Sequence, residues 1–317
     1  MTPTPTPHAA GASRGASRRV GPAPAIDVRG LGKSFGRSLV LDRLDLTVER
    51  GEIFALLGAN GAGKTTTISI LTTLLRPDAG IARVAGHDVA TDPDAVRGRI
   101  ALTGQSAAVD DMLTGVENLV MLGRLSGLSP RAAKLRAAEL LERFALTDAA
   151  TRRVSTYSGG MRRRLDLALS FVVVPEVLFL DEPTTGVDPR SRRDLWDVIR
   201  SLASAGTTVF LTTQYLEEAD QLAGRIAVLD GGRIVATGTP GELKALVGTD
   251  TVVLTGADGE VLREIPTDGS IDGLRSAMDQ LGDGVPGAEV TLRRPTLDDV
   301  FLSLTGASHA PAAKELA

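Results

Sequence analysis

From Leu44 to Val48 apolar and polar residues alternate, which predicts a half-buried strand, and short β patterns already begin at Ile26. After Gly51-Glu52 the run Ile53-Phe54-Ala55-Leu56-Leu57 has no polar position, so it predicts a strand buried on both faces. A helix is expected from Lys64. Between residues 114 and 146 the period becomes helical, with apolar positions at Leu119, Leu122, Leu135, Leu140, Leu141 and Phe144. Further strands are expected at Ile100–Thr103, Val177–Leu180, Thr208–Leu211 and Ile226–Leu229, with a helix over Arg190–Leu202. Strands separated by helices predict an α/β fold with a mainly parallel sheet.

The pattern shifts near residue 247. Thr251–Leu254 and Val261–Ile265 flank Ala257-Asp258-Gly259, a hairpin signal. A helix near Leu274–Leu281 and a strand near Val290–Leu292 follow. The expected organisation is a disordered, low-complexity tail over 1–24, a main domain over 25–246, and a small C-terminal α/β unit over 247–317 with an accessory or regulatory role. The tail is open to two readings, a functional segment or a start-site artefact.

Composition narrows the class. The 317 residues are 43% hydrophobic but only 3% aromatic, so the core must be built from Leu, Val, Ile and Ala. A net charge of −4 argues against a general nucleic-acid binder, which usually carries a basic face. With no cysteine there is no disulfide and no thiolate-held metal, and His8, His87 and His309 are too scattered to suggest a metal site. No segment reaches the roughly 18 consecutive apolar residues of a membrane span. The N-terminus lacks the apolar stretch of a signal peptide. A soluble, intracellular protein is expected.

Three motifs carry chemistry. Gly58-Ala59-Asn60-Gly61-Ala62-Gly63-Lys64-Thr65 fits G-x-x-x-x-G-K-[ST] and lies between a buried strand and a helix. Glycines let the backbone wrap phosphate with its N–H groups inward, and the helix start presents its positive end to the same anion. Lys64 can reach the β and γ phosphates, the Thr65 hydroxyl is placed to ligate Mg²⁺, and Thr66 follows as a further phosphate-binding candidate. Next, Leu178-Phe179-Leu180-Asp181-Glu182 ends an apolar strand in two carboxylates. Asp181 would stand by the metal, and Glu182 can polarise a water for attack on the γ-phosphate. Alone, this could be a strand ending in a solvated acidic turn. Finally, Tyr157-Ser158-Gly159-Gly160-Met161 precedes the helix Arg162–Ala168 and makes a second anion site by the same dipole logic. Alone, it would be only a cap.

In this order the motifs resemble the ATP-binding cassette (ABC) family over about residues 26–240. The resemblance implies a P-loop nucleotide-binding domain with an antiparallel β segment and a helical insert at about 110–170. It implies that Phe35 stacks on adenine, and that Gln105 senses Mg²⁺ and couples to a membrane partner. Ser158, Gly159 and Gly160 would cap the γ-phosphate of ATP held by a second copy, and Asp188 would cross that dimer interface. Plainer readings are a core or surface aromatic for Phe35, a polar strand end for Gln105, and a helix cap before Pro189 for Asp188, which is compatible with both roles.

The sequence departs from the family pattern in places. Tyr157 and Met161 flank the Ser-Gly-Gly core where Leu and Gln are usual. Gln214 stands where the family places a switch histidine; it can donate an amide hydrogen bond but cannot become charged. The expectation is that Gln214 positions phosphate while Glu182 is the polarising group; the alternative is that Gln214 points away. The run Thr212–Asp220 and the tail Arg294-Pro295-Thr296-Leu297-Asp298-Asp299-Val300-Phe301-Leu302 are similar to the daunorubicin-resistance type of drug-exporter ATPase. That likeness implies an ATPase with ATP and Mg²⁺ as cofactors, peripheral at the cytoplasmic face of the membrane. Its partners would be a second copy and a separate integral membrane permease, with no nucleic acid. Its cargo would be a hydrophobic drug, antibiotic or lipid-like molecule. The rival is a soluble ABC ATPase acting on ribosomes or nucleic-acid complexes, although neither a second cassette nor a long coiled-coil insert is visible.

Overall fold

The computed structural model describes residues 23–104, 109–281 and 287–305. The chain opens with β1 (Ile26–Phe35), β2 (Ser38–Val48), β3 (Ile53–Gly58), α1 (Lys64–Leu71), β4 (Ala79–Val84), β5 (His87–Asp88), α2 (Pro93–Arg97) and β6 (Ile100–Thr103). Three helices follow, α3 (Gly115–Leu125), α4 (Pro130–Arg143) and α5 (Gly159–Ser170). The chain then returns through β7 (Val177–Asp181), α6 (Pro189–Ser204), β8 (Thr208–Thr213), α7 (Leu216–Leu222), β9 (Arg225–Asp230), β10 (Arg233–Gly238) and α8 (Pro240–Ala245). It ends with β11 (Thr251–Thr255), β12 (Val261–Pro266), α9 (Ile271–Leu281), β13 (Glu289–Arg293) and α10 (Leu297–Thr305).

The central sheet has the order β10-β9-β3-β8-β7-β6. From β9 to β6 neighbours pair in parallel, and only the edge strand β10 is antiparallel. The expected antiparallel segment is a separate sheet, β2-β1-β4-β5. It covers one face of the centre, where Ile26, Val28 and Leu44 join Phe54, Phe179 and Phe210 in one core cluster. On the other face Leu57, Leu180 and Leu211 pack against Leu165, Trp196 and Ile199 from α5 and α6. Coverage on both faces explains the apolar runs Ile53–Leu57 in β3, Val177–Leu180 in β7 and Val209–Leu211 in β8. The few aromatics are concentrated here: Phe54 stacks on Phe210 at 5.7 Å between centroids, and Phe179 lies 5.6 Å from Phe210.

Two expectations need correcting. The helical stretch 114–146 is two helices, because Gly127 takes a left-handed φ of 88° and Ser129-Pro130 starts the next helix with its own cap. Leu135 is not a core position. The buried face of α4 carries Ala133, Ala137, Leu140 and Leu141, and Leu135 lies off that stripe, 65% exposed.

The C-terminal sheet, order β12-β11-β13, is distinct from the other two. The last helix, however, returns to the main body. Leu297 and Val300 of α10 enter the same core cluster as α5 and α6, with the half-buried Phe301 packed against it.

Glu218 is fully buried between α7 and α6, where the Trp196 indole donates to it at 3.3 Å. Burial pushes its carboxyl above the ordinary range, while Thr213, Thr184, Trp196 and Arg192 pull the other way. Below the usual carboxylate pKa of 4.5 both folded and unfolded states are protonated and nothing is lost. As pH rises past it, the unfolded chain ionises first, so this group's contribution to stability falls. Glu218→Gln should therefore gain thermal stability over the parent as pH rises, by about 2 °C or more at pH 8 relative to pH 5. Melting curves at the two pH values check this; a difference that is constant or shrinks would contradict it.

Candidate functional site

β3 ends at Gly58, the chain loops through Ala59–Gly63, and α1 begins at Lys64. Side chains are excluded at two points of the loop. A Cβ at Gly58 would meet the Leu229 carbonyl oxygen at 2.6 Å. Gly63 has a φ of 111°, and a Cβ there would stand 2.7 Å from Leu41. The cavity over the loop is about 530 Å³, lined by Val40, Asn60, Gly61, Gly63, Lys64, Thr65, Thr66 and Glu182. Ala59 closes the turn by accepting from the Ala62 N–H at 3.2 Å.

Lys64 is buried, and its Nζ donates to the carbonyls of Gly58 at 2.8 Å and Ala59 at 3.1 Å. Burial lowers its pKa from the lysine value, while Glu182 and Asp181 oppose that shift. Glu182 Oε1 lies 3.7 Å from the ammonium. The Thr65 hydroxyl donates to Asp181 at 3.2 Å, and the Thr212 hydroxyl donates to the other carboxylate oxygen at 2.5 Å. A hydroxyl facing a carboxylate at the mouth of an anion loop is an all-oxygen donor set, which suits a hard divalent cation. Among the described residues no group of three or more His, Cys, Asp or Glu could hold a metal alone. Phosphate and water would have to complete the coordination of such a cation.

Glu182 is the strained member of the site. Its φ is 48°, in the left-handed region that few non-glycine residues adopt, and its N–H is held by the Thr212 carbonyl at 3.1 Å. Just past β7, it lines both the phosphate-loop cavity and a second cavity of about 300 Å³. Gly159, Arg162, Arg163, Thr185, Gly186 and Val187 line the second one.

Ser158 caps α5 by accepting from the Met161 N–H at 3.2 Å. Asp188 caps α6, accepting from Arg190 at 3.1 Å and Ser191 at 3.0 Å, and these bonds, those of Ser191 first, hold its carboxyl below the usual range. The two helix starts abut, since a Cβ on Gly160 would sit 2.4 Å from Ser191. Tyr157, at the position where the family has Leu, is buried and donates its hydroxyl to the Ala149 carbonyl at 2.7 Å.

The structure thus gathers Gly58–Thr66, Asp181 and Glu182, and separately gathers Ser158–Gly160 with Asp188. None of Ser158, Gly159 or Gly160 lines the phosphate-loop cavity. Phe35 ends β1, half-exposed, with the Lys33 ammonium 5.6 Å from its ring centroid. Gln214 is half-buried just past β8 and does not line that cavity either. Gln105 falls outside the described residues. Sequence reading missed Thr212 and Val40. Thr212 had a legible signal, a hydroxyl in the parallel strand beside Asp181, and the register pairs the two residues directly.

The profile of the ABC transporter family matches residues 41–185. The chain is 51% identical to the daunorubicin/doxorubicin resistance ATP-binding protein DrrA of Streptomyces peucetius, over 90% of this chain and 93% of that one. It is 39% identical to the Nod factor export ATP-binding protein I of Burkholderia lata, over 90% of this chain and 98% of that one. Among solved structures, the ATP-binding subunit of an ABC transporter superposes with a TM-score of 0.62 at 28% identity, covering 70% of this chain and 92% of that one.

Proposed function

The chain belongs to the ABC transporter family as an ATP-hydrolysing exporter subunit, and from that premise we propose how its residues divide the work and what they serve. The carrying observation is that Lys64, Thr65 and Glu182 line one cavity, with Asp181 hydrogen-bonded to the Thr65 hydroxyl. The loop amides and Lys64 hold the β and γ phosphates. Thr65 and Asp181, together with Gln105, are the residues to hold Mg²⁺, which when bound neutralises charge developing on the phosphate oxygens. Glu182 accepts a proton from a water as its oxygen bonds to the γ-phosphorus and the bond to the ADP oxygen breaks. Phe35 supports the adenine, and Gln214 positions the phosphate without acid–base work.

The site is half of a shared one. Ser158–Gly160 of a second copy closes on the γ-phosphate, with Asp188 at the interface. This reading is supported by the absence of Ser158–Gly160 from their own chain's phosphate cavity. ATP binding favours the closed pair, and loss of the γ-phosphate releases it. The partner is a multi-span membrane permease contacted by the helical insert and by Gln105. Among the described residues no helix is long and apolar enough to cross a membrane; in this reading the subunit docks on the permease at the cytoplasmic face. Residues 25–246 form the motor, and 247–317 an accessory unit joined to it through α10. The cargo is a hydrophobic drug or lipid-like molecule. Relatives named for drug resistance and Nod factor export support that reading and lend none to ribosomes or nucleic acid.

Co-expression with the permease, followed by transport in inverted membrane vesicles, tests this. ATP-dependent accumulation of a daunorubicin-like drug is expected, together with membrane association that requires the permease. Lys64→Ala should abolish accumulation, lowering it by about 100-fold or more, because the ammonium is aimed at the transferred phosphate. Accumulation that persists in Lys64→Ala, or stable co-purification with ribosomes instead, would overturn the proposal.

A further inference from the structure

One guanidinium ties the helix that carries Ser158–Gly160 to the ends of two central strands. Arg163 is the fifth residue of α5, and its side chain is only 12% exposed. Its Nε donates to the Pro183 carbonyl at 2.9 Å, and its Nη1 donates to the Gly104 carbonyl at 2.7 Å and to Asp166 at 3.2 Å. Gly104 directly follows β6, and Pro183 directly follows Glu182. Since β6 and β7 are parallel neighbours, both carbonyls belong to the same end of the sheet, the end that carries Asp181. The flanking arginines do something else: Arg162 pairs with Asp111 at 2.9 Å, and Arg164 with Asp194 at 3.6 Å. Burial lowers the Arg163 pKa from its ordinary value, with Asp166, Glu218 and Asp181 opposing. A buried cation spent on two backbone carbonyls fixes geometry, because the guanidinium is planar and its donors are set in a rigid fork.

We propose that Arg163 is a positioning residue of the ATPase cycle: it sets the angle at which α5 holds the Ser158–Gly160 turn relative to Glu182. This rests on the reading of the site as shared between two copies. With the fork intact, the turn of one copy meets the γ-phosphate of the other in register. Without it, α5 and the insert swing about the strand ends. ATP still binds the phosphate loop, but the closed pair is misaligned.

The chain has no native cysteine, so two introduced ones are unique label sites. Lys134→Cys on α4 and Ala205→Cys at the end of α6 are both exposed and report the insert against the core. Spin-label distances are to be measured in this parent and in Arg163→Gln and Arg163→Lys; the lysine keeps the charge but offers a single nitrogen. A broadened distance distribution is expected in both variants, wider in Gln. Turnover should fall by about 10- to 100-fold in kcat with KM for ATP within about twofold. Where Arg163→Gln fails to fold, Arg163→Lys carries the test. A folded variant with the parent's distance distribution, or with kcat within about threefold of the parent, overturns the proposal. Full-rate hydrolysis by a strictly monomeric parent would instead count against the shared-site reading, while the distances still judge Arg163.

Discussion

Glu182→Gln is expected to lower steady-state ATP turnover by about 10²- to 10⁴-fold while leaving ATP binding intact. Among the described residues the carboxylate is the one proton acceptor lining both the phosphate cavity and the cavity on the Gly159 side. Its left-handed backbone, held by the Thr212 carbonyl, fixes where the side chain can reach. Gln preserves shape and hydrogen bonding but cannot accept a proton from water. It also removes the negative charge 3.7 Å from Lys64, so affinity for the anionic nucleotide should hold or rise. With ATP present, the variant should elute from gel filtration as a dimer that persists, because the γ-phosphate joining the halves is not lost. Gln214→Ala is the comparison. Gln214 does not line the phosphate cavity and cannot carry charge, so its loss should cost only about tenfold, the scale of one positioning contact. Intact turnover in Glu182→Gln with none in Gln214→Ala would falsify this division of roles.

How much of this could be read from the chain follows from what each signal depends on. The apolar runs Ile53–Leu57, Val177–Leu180 and Val209–Leu211 declared themselves because strands covered on both faces leave few polar positions. The phosphate loop was legible because its spacing is local: Gly58, Gly63, Lys64 and Thr65 form one short turn. β10 was not legible, since as an edge strand it alternates only weakly between exposed and half-buried positions. Leu135 was misread because pattern alone does not say which stripe of an amphipathic helix meets the core. The contacts across elements were hidden entirely. Thr212 lies 31 positions from Asp181, and Arg163 lies 59 from Gly104. Only the parallel pairing of β6, β7 and β8 brings those groups together. Arg163 in particular sits among three consecutive arginines that look alike in sequence, and folding alone distinguishes the one bonded to two strand-end carbonyls from its two neighbours.

Gly159→Asp should leave the monomer folded, with its affinity for a non-hydrolysable ATP analogue unchanged, yet reduce hydrolysis by about 100-fold or more. A Cβ built on Gly159 meets nothing within 4 Å, whereas one on Gly160 would strike Ser191 at 2.4 Å. Gly160 substitutions therefore confound folding with function, but Gly159 substitutions do not. Asp at the first residue of α5 even favours the helix, since a carboxylate there faces the positive end of the dipole. Gly159 shares the second cavity with Glu182, so a loss comes either from the new charge acting on Glu182 or from what docks against the turn from outside the chain. If that docking group is the γ-phosphate of ATP on a second copy, a carboxylate repels it and the two halves cannot close. Placed in the Glu182→Gln background, Gly159→Asp should abolish the ATP-dependent dimer on gel filtration, while Gly159→Ala, adding a methyl without charge, should weaken it less. Were the site complete within one chain, Asp at 159 would stand outside the phosphate-loop cavity and the ATP-dependent dimer would not depend on it. An undiminished dimer or parent-rate hydrolysis in Gly159→Asp would therefore sink the shared site, while the phosphate loop and Glu182 would keep their roles.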